Sequence, residues 1–230
     1  VLLQACGGNT TSGTSGTSGT SGTASADEPA EEITVDAPDG VVESSGPNGE
    51  KAVSANTLKL TAEEVRKVRE GKYKAAIVMN GTGNDWANAQ IDGLTTTFEK
   101  LGIEVVAITD ANFKAEKQVS DIESVRAKDP DIIVSVPLDQ TATSAAFKAA
   151  AAAGIKLVFM DSLPNNMSRD EYVSVVSADN YGNGVISADI MGEKLNGKGK
   201  VGLIYYGASV FSVDQRKLGF ETRIKEKFPD

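Results

Sequence analysis

The chain has 230 residues, of which 40% are hydrophobic, and it carries a formal net charge of −9 with no histidine and one cysteine. That length buries one or two cores, no apolar run reaches the ~18 residues that span a bilayer, and a lone cysteine forms no internal disulfide. Without histidine the chain lacks the commonest general base and metal ligand, and neither a cofactor nor a metal is expected.

The charge is unevenly placed. Residues 1–50 contain eight of the 32 acids and none of the 23 basic residues, so the remainder is close to neutral. A body without a basic stripe points away from nucleic acid as a partner.

The N-terminus reads Val1-Leu-Leu-Gln-Ala-Cys-Gly-Gly8. A leucine three residues before Cys6, with Ala5 between, resembles the lipobox of bacterial lipoproteins. Residues 1–6 then read as the end of a signal peptide, and Cys6 as the lipidated residue that joins the chain to a membrane. A repeated Thr-Ser-Gly and an acidic stretch follow, and their composition predicts a disordered tether over 7–56. About 45 such residues have an r.m.s. span of roughly 35–40 Å.

The regular pattern begins at Thr61-Ala-Glu-Glu64, the spacing of a capping box, which predicts a helix ending near Gly71. Strands are expected at 75–79, 104–108, 131–136, 156–160, 172–177 and 200–206. Helices are expected at about 85–101, 113–128, 141–153, 182–196 and 212–228. The strands are short and almost continuously apolar, as in a parallel sheet covered on both faces. The alternation predicts an α/β fold with an open, doubly wound sheet, whose ligands bind beyond the carboxyl ends of the strands.

Polar groups gather at four of those ends. The first strand leads into Asn80-Gly-Thr-Gly-Asn-Asp-Trp86, with Asn84 and Asp85 beside the only tryptophan of the chain. The third leads to Asp139, whose carboxylate serves a ligand or caps the next helix. The fourth ends in Asp161-Ser162, where no helix follows and a ligand role is favoured. The fifth leads to Asp179-Asn180.

Gly81-Thr-Gly83 starts a dinucleotide fingerprint, G-x-G-x-x-G, but its third position is Trp86, too bulky for a pyrophosphate. The next helix has its apolar row at Ala87, Ile91, Leu94, Phe98 and Leu101, and Trp86 stands one residue out of step with it. It is therefore expected at the ligand rim, where an indole covers the C–H face of a sugar while Asn84 and Asp85 bind hydroxyls. A hydrophobic staple is the other reading.

The stretches "KAAIVMNGTGNDWANAQIDG", "DIIVSVPLDQTATSAAFKAAAAAGIKLVFMDS", "SVVSADNYGNGVISADIM" and "KVGLIYYG…QRKLGF" together resemble the type 1, ribose-binding-like periplasmic sugar-binding proteins of ABC importers. The resemblance implies two doubly wound lobes that close on a sugar or polyol, with a first lobe at 57–172 and the start of a second at 173–230. It implies ligand contacts from Asn84, Asp85, Trp86, Asp139, Asp161, Ser162, Asp179, Asn180 and Arg216. It further implies an ABC permease as partner, a monomer, no enzymatic activity and an extracytoplasmic, lipid-anchored location.

Three positions depart from the family pattern. Ser162 stands where an arginine often follows the aspartate, Val136 replaces an asparagine, and the first loop carries one aromatic residue rather than two. These leave open another pentose, hexose or polyol, or a nucleoside, and a sensory rather than a transport role. A glycosidase-like pair drawn from Asp85, Asp139 and Asp161 is the enzymatic alternative. The chain stops after one expected strand and helix of the second lobe, so a longer receptor is expected, with part of the pocket wall still to come.

Overall fold

The computed structural model describes residues 29–37, 40–206 and 210–229. Cys6 and the Thr-Ser-Gly repeat lie outside the described residues.

The described residues of the expected tether, 29–37 and 40–56, touch the body at several points. Strand β1 (Ile33–Thr34) pairs antiparallel with β2 (Lys59–Leu60), setting Ile33 opposite Leu60. Ala30, Ile33 and Leu60 pack onto a core cluster. Further on, the backbone N–H groups of Glu43 and Ser44 donate to the Asp179 carboxylate at 2.9 and 3.0 Å. The composition of the segment is that of a disordered chain, but a few apolar side chains and one carboxylate acceptor suffice to dock it. An average over the whole stretch hides them.

Helix α1 (Ala62–Gly71) starts in the expected capping box, with Thr61 N–H donating to Glu64 at 2.8 Å and Glu64 N–H returning to Thr61 Oγ1 at 3.3 Å. The main sheet follows, built from β3 (Lys74–Met79), β4 (Glu104–Asp110), β5 (Ile132–Ser135), β6 (Lys156–Met160) and β7 (Ser174–Val176). Its order is β4-β3-β5-β6-β7 and every pairing within it is parallel. The connecting helices are α2 (Asp85–Lys100), α3 (Ala115–Arg126) and α4 (Ser144–Ala152).

Burial explains the apolar run of β3, since Ala75 through Met79 are all 0% exposed. Alternate residues of that strand belong to opposite layers, because successive side chains leave a strand on opposite faces. Ala75, Ile77 and Met79 pack with Val65 of α1 and with Ala87 and Phe98 of α2. Ala76 and Val78 pack with Ile122 of α3, Phe147 of α4 and Phe159 of β6. Phe147 and Phe159 meet edge to face with ring centroids 5.0 Å apart. Each such ring contributes about 2–3 kcal/mol by leaving water.

The chain therefore winds outward from β3 in both directions, and its loops part at the carboxyl ends of β3 and β5. That is the switch point where doubly wound sheets bind ligands.

Two boundaries differ from expectation. The sheet runs on through β7, beyond the lobe boundary expected at 172, because β7 completes its hydrogen bonding against β6. The strand expected at 200–206 does not form, and Ile204 there is 99% exposed. A strand needs a neighbour for its backbone groups, and no strand lies beside this segment among the described residues.

Past β7 come α5 (Asn180–Lys194) and α6 (Phe211–Lys227), the described part of the expected second lobe. They pack closely through two glycines. A Cβ at Gly184 would overlap the Arg216 carbonyl, and one at Gly219 would overlap the Tyr181 carbonyl. Arg223 binds both carboxylate oxygens of Asp189 at 2.9 Å, and Lys227 adds a third bond at 2.9 Å.

Candidate functional site

A cavity of about 480 Å³ lies where the carboxyl ends of β3, β5 and β6 face the start of α6. Its floor comes from the strand ends, namely Asn80 after β3, Val136-Pro137-Leu138 after β5 and Asp161-Ser162 after β6. Its walls include Trp86, Phe113 and Tyr206, and its far side Val210, Ser212, Val213 and Arg216.

Local chemistry fixes each part. Trp86 sits in the first turn of α2 and is 45% exposed, while its neighbour Ala87 is fully buried. The one-residue offset from the apolar row thus places the indole at the rim. Asn84 caps the helix by accepting from Ala87 N–H at 2.9 Å.

Phe113 comes from the loop after β4, where Asn112 and Phe113 both have left-handed backbones, with φ of 49° and 55°. Its N–H donates to the Asn80 carbonyl at 2.8 Å, tying this loop to the one after β3. Asp110 strengthens the tie by accepting from the Thr82 hydroxyl at 2.5 Å and from Asn112 N–H at 2.7 Å. The Thr82 hydroxyl first, and then the Asn112 N–H, hold the Asp110 carboxyl below its usual range despite some burial.

Buried Gln118 of α3 shapes the floor. Its amide donates to the Val136 carbonyl and accepts from Leu138 N–H, both at 2.8 Å. The turn after β5 is thereby held open toward the cavity without a side-chain charge.

Asp161 adopts a left-handed backbone with φ of 60°, and its N–H donates to the Val176 carbonyl at 2.9 Å. Such a conformation costs a non-glycine residue about 1–3 kcal/mol and clusters at working sites. Next to it, Ser162 is 1% exposed and its hydroxyl finds no hydrogen-bond partner among the described residues. A buried hydroxyl left unmatched carries a desolvation cost that a ligand hydroxyl relieves.

Of the residues singled out in the sequence, Trp86, Asp161, Ser162 and Arg216 line the cavity together. Asn180 stands behind it, accepting from Arg216 Nε at 2.7 Å. Asn84, Asp85, Asp139 and Asp179 lie outside the lining. Asp139 accepts from the N–H groups of Thr141 and Ala142, both at 2.8 Å, within the turn before α4, whose own N-cap is Thr143. Asp179 caps α5 through Gly182 N–H at 2.9 Å and takes the Ser44 hydroxyl at 2.6 Å. Burial works against the Asp179 charge, but the Ser44 hydroxyl and the N–H groups of Glu43, Gly182 and Ser44 outweigh it and lower its pKa.

The reading of the sequence missed Asn80, Phe113 and Tyr206. Phe113 was placed inside an expected helix, yet Asp110-Ala-Asn-Phe113 directly follows a strand, and that position was the available signal. It supplies from a different loop the second aromatic residue that the first loop lacks.

The model of the periplasmic binding protein domain matches residues 75–230. The chain belongs to the periplasmic binding protein family. Its fold is the type 1 fold expected from the sequence. The chain is 25% identical over 153 residues to the ribose import binding protein RbsB of Escherichia coli, covering 66% of this chain and 50% of that protein. It is 29% identical over 153 residues to the galactofuranose-binding protein YtfQ of the same organism, covering 63% and 46%. Among solved structures it resembles an ABC transporter solute-binding protein from Agrobacterium vitis bound with alpha-D-tagatopyranose, with a TM-score of 0.62 and 26% identity over 69% of this chain and 55% of that one. The chain spans about half the length of the curated relatives it matches.

Proposed function

We propose that the chain is the ligand-binding part of an extracytoplasmic solute receptor, which captures a neutral sugar or polyol unchanged and passes it to the permease of an ABC importer. The observation that carries this reading is the make-up of one cavity: three aromatic residues, one carboxylate and one guanidinium. Aromatic faces cover the C–H surface of a sugar ring. Asp161 accepts hydroxyl protons, and Arg216 donates to hydroxyl oxygens. Opposite charges balance, which suits an uncharged guest better than an anion. The volume falls within the range of small-molecule sites.

The names of the relatives support the same class of ligand, as they bind ribose, galactofuranose and tagatose. Glycoside hydrolysis uses two carboxylates, and of the three acids considered for such a pair only Asp161 lines the cavity. Lipidation at Cys6 would hold the receptor at the membrane, and a Cys6→Ser variant is then released from the membrane fraction.

Trp86 lines the cavity and is the only tryptophan of these 230 residues, so an emission change that disappears in Trp86→Phe reports the cavity. The full-length protein is titrated with ribose, galactofuranose, tagatose, other pentoses and hexoses, polyols, nucleosides and amino acids. One or a few carbohydrates change the emission saturably. A response to nucleosides or amino acids with none to carbohydrates overturns the assignment.

A further inference from the structure

We infer that Ser177 and Asn180, neither of which lines the cavity, are positioning residues that fix its carboxylate and its guanidinium together. The inference rests on the solute-binding reading of the site. Three hydrogen bonds run in series. Arg216 Nε–H donates to Asn180 Oδ1 at 2.7 Å, Asn180 Nδ2–H donates to Ser177 Oγ at 2.7 Å, and the Ser177 hydroxyl donates to Asp161 Oδ1 at 2.7 Å. A second bond, from Asn180 Nδ2 to the Ala178 carbonyl at 3.1 Å, holds the amide on its own turn.

The polarity of the series has one solution. Arginine only donates, so Asn180 presents its oxygen to Arg216 and its NH2 to Ser177. Serine has a single hydroxyl proton, and with its oxygen accepting from Asn180 that proton goes to Asp161. All donors point from the cation toward the anion, an alignment in which neighbouring bonds polarise and strengthen one another.

The location gives the series its function. Ser177 follows β7 and Asn180 begins α5, so the relay sits in the segment that crosses from the sheet to the helix pair. It occupies one oxygen of Asp161 and one N–H of Arg216. The other carboxylate oxygen and the terminal nitrogens stay available to a guest. The guanidinium is planar, so a bond at Nε also sets the plane in which those nitrogens lie. A shift of the crossing segment therefore moves both charged groups at once, and a guest that holds both resists the shift.

The test uses Ser177→Ala and Ser177→Thr in the full-length protein, since Ser177 is exposed and its truncation leaves the core intact. In the ligand-free protein, NMR follows exchange of the Arg216 Nε–H proton, assigned with Arg216→Lys. Ser177→Ala speeds that exchange about fivefold or more by freeing Asn180, although Ser177 does not touch Arg216, and Ser177→Thr restores it. Titration with ribose and tagatose, followed by isothermal calorimetry, gives a Kd about tenfold weaker for Ser177→Ala and close to wild type for Ser177→Thr. Exchange and Kd both within about twofold of wild type in Ser177→Ala overturn the relay. If neither sugar binds the wild type, the solute-binding reading is at fault, and the exchange measurement alone decides the relay.

Discussion

The ring of Phe113 occupies the space that a side chain at Gly81 would need: a Cβ built on Gly81 falls into contact with the far edge of that ring. Gly81 belongs to the loop after β3 and Phe113 to the loop after β4, so the glycine lets an aromatic wall of the cavity close over the neighbouring loop. Phe113 is 60% exposed and can swing outward. Gly81→Ala is therefore expected to cost little stability and to weaken sugar binding about tenfold, as measured by calorimetric titration beside a melting curve.

Trp86 and Phe113 both line the cavity, and under the proposed function they cover the apolar face of the guest. Removing either ring as alanine is expected to raise Kd about ten- to a hundredfold with the melting temperature of the free protein nearly unchanged, because neither ring is buried. Isothermal titration and differential scanning fluorimetry separate the two effects. A large fall in the melting temperature of free Trp86→Ala would return the indole to a packing role.

Asp161 combines a left-handed backbone with a carboxylate in the cavity. Asparagine tolerates that backbone, whereas a β-branched residue does not. Asp161→Asn is expected to fold normally and bind about a hundredfold more weakly, through the lost acceptor charge. Asp161→Val is expected to lose about 1–3 kcal/mol of stability as well. Urea unfolding of both variants checks the contrast.

The contact of α5 with α6 depends on Gly184 and Gly219 meeting backbone carbonyls. Gly184→Ala or Gly219→Ala is expected to cost about 1–3 kcal/mol, since a backbone cannot rotate away as a side chain does. Thermal unfolding measures it, and a near-neutral result would mean that the helices cross with more room than this.

Arg223 first, and then Lys227, hold the Asp189 carboxyl down to about 2 from its ordinary 3.8. A lowered folded-state pKa stabilises the native state above the unfolded value, and the contribution fades as pH falls from about 3.8 toward 2. The Asp189 carboxyl carbon is expected to titrate near 2 by NMR, and to move back toward 3.8 in Arg223→Gln.

The capping box at Thr61, the five strands of the main sheet and the offset of Trp86 were legible because each rests on residues close in sequence. Period, cap spacing and a continuous apolar run are local signals. Asp161-Ser162 was also legible, as a strand end without a following helix. The carboxylates were harder. Asp85, Asp139, Asp161 and Asp179 all stand just past strands, and only the folded chain shows that Asp139 and Asp179 spend their oxygens on backbone N–H groups while Asp161 reaches the cavity.

What the sequence determined by itself was the layered α/β body and the edge of it at which a ligand would sit, since alternating short apolar strands and amphipathic helices allow few other packings. What the tertiary structure decided was which residues line the cavity. Phe113 reaches it from another loop, Asp179 accepts from the N–H groups of Glu43 and Ser44, and Asn180 bonds Arg216 from outside the lining. Phe113 with Asn80, Asn180 with Arg216 and Asp179 with Glu43 are partners 33 to 136 residues apart in the chain, and a hydrogen bond over such a span is set by how the layers stack.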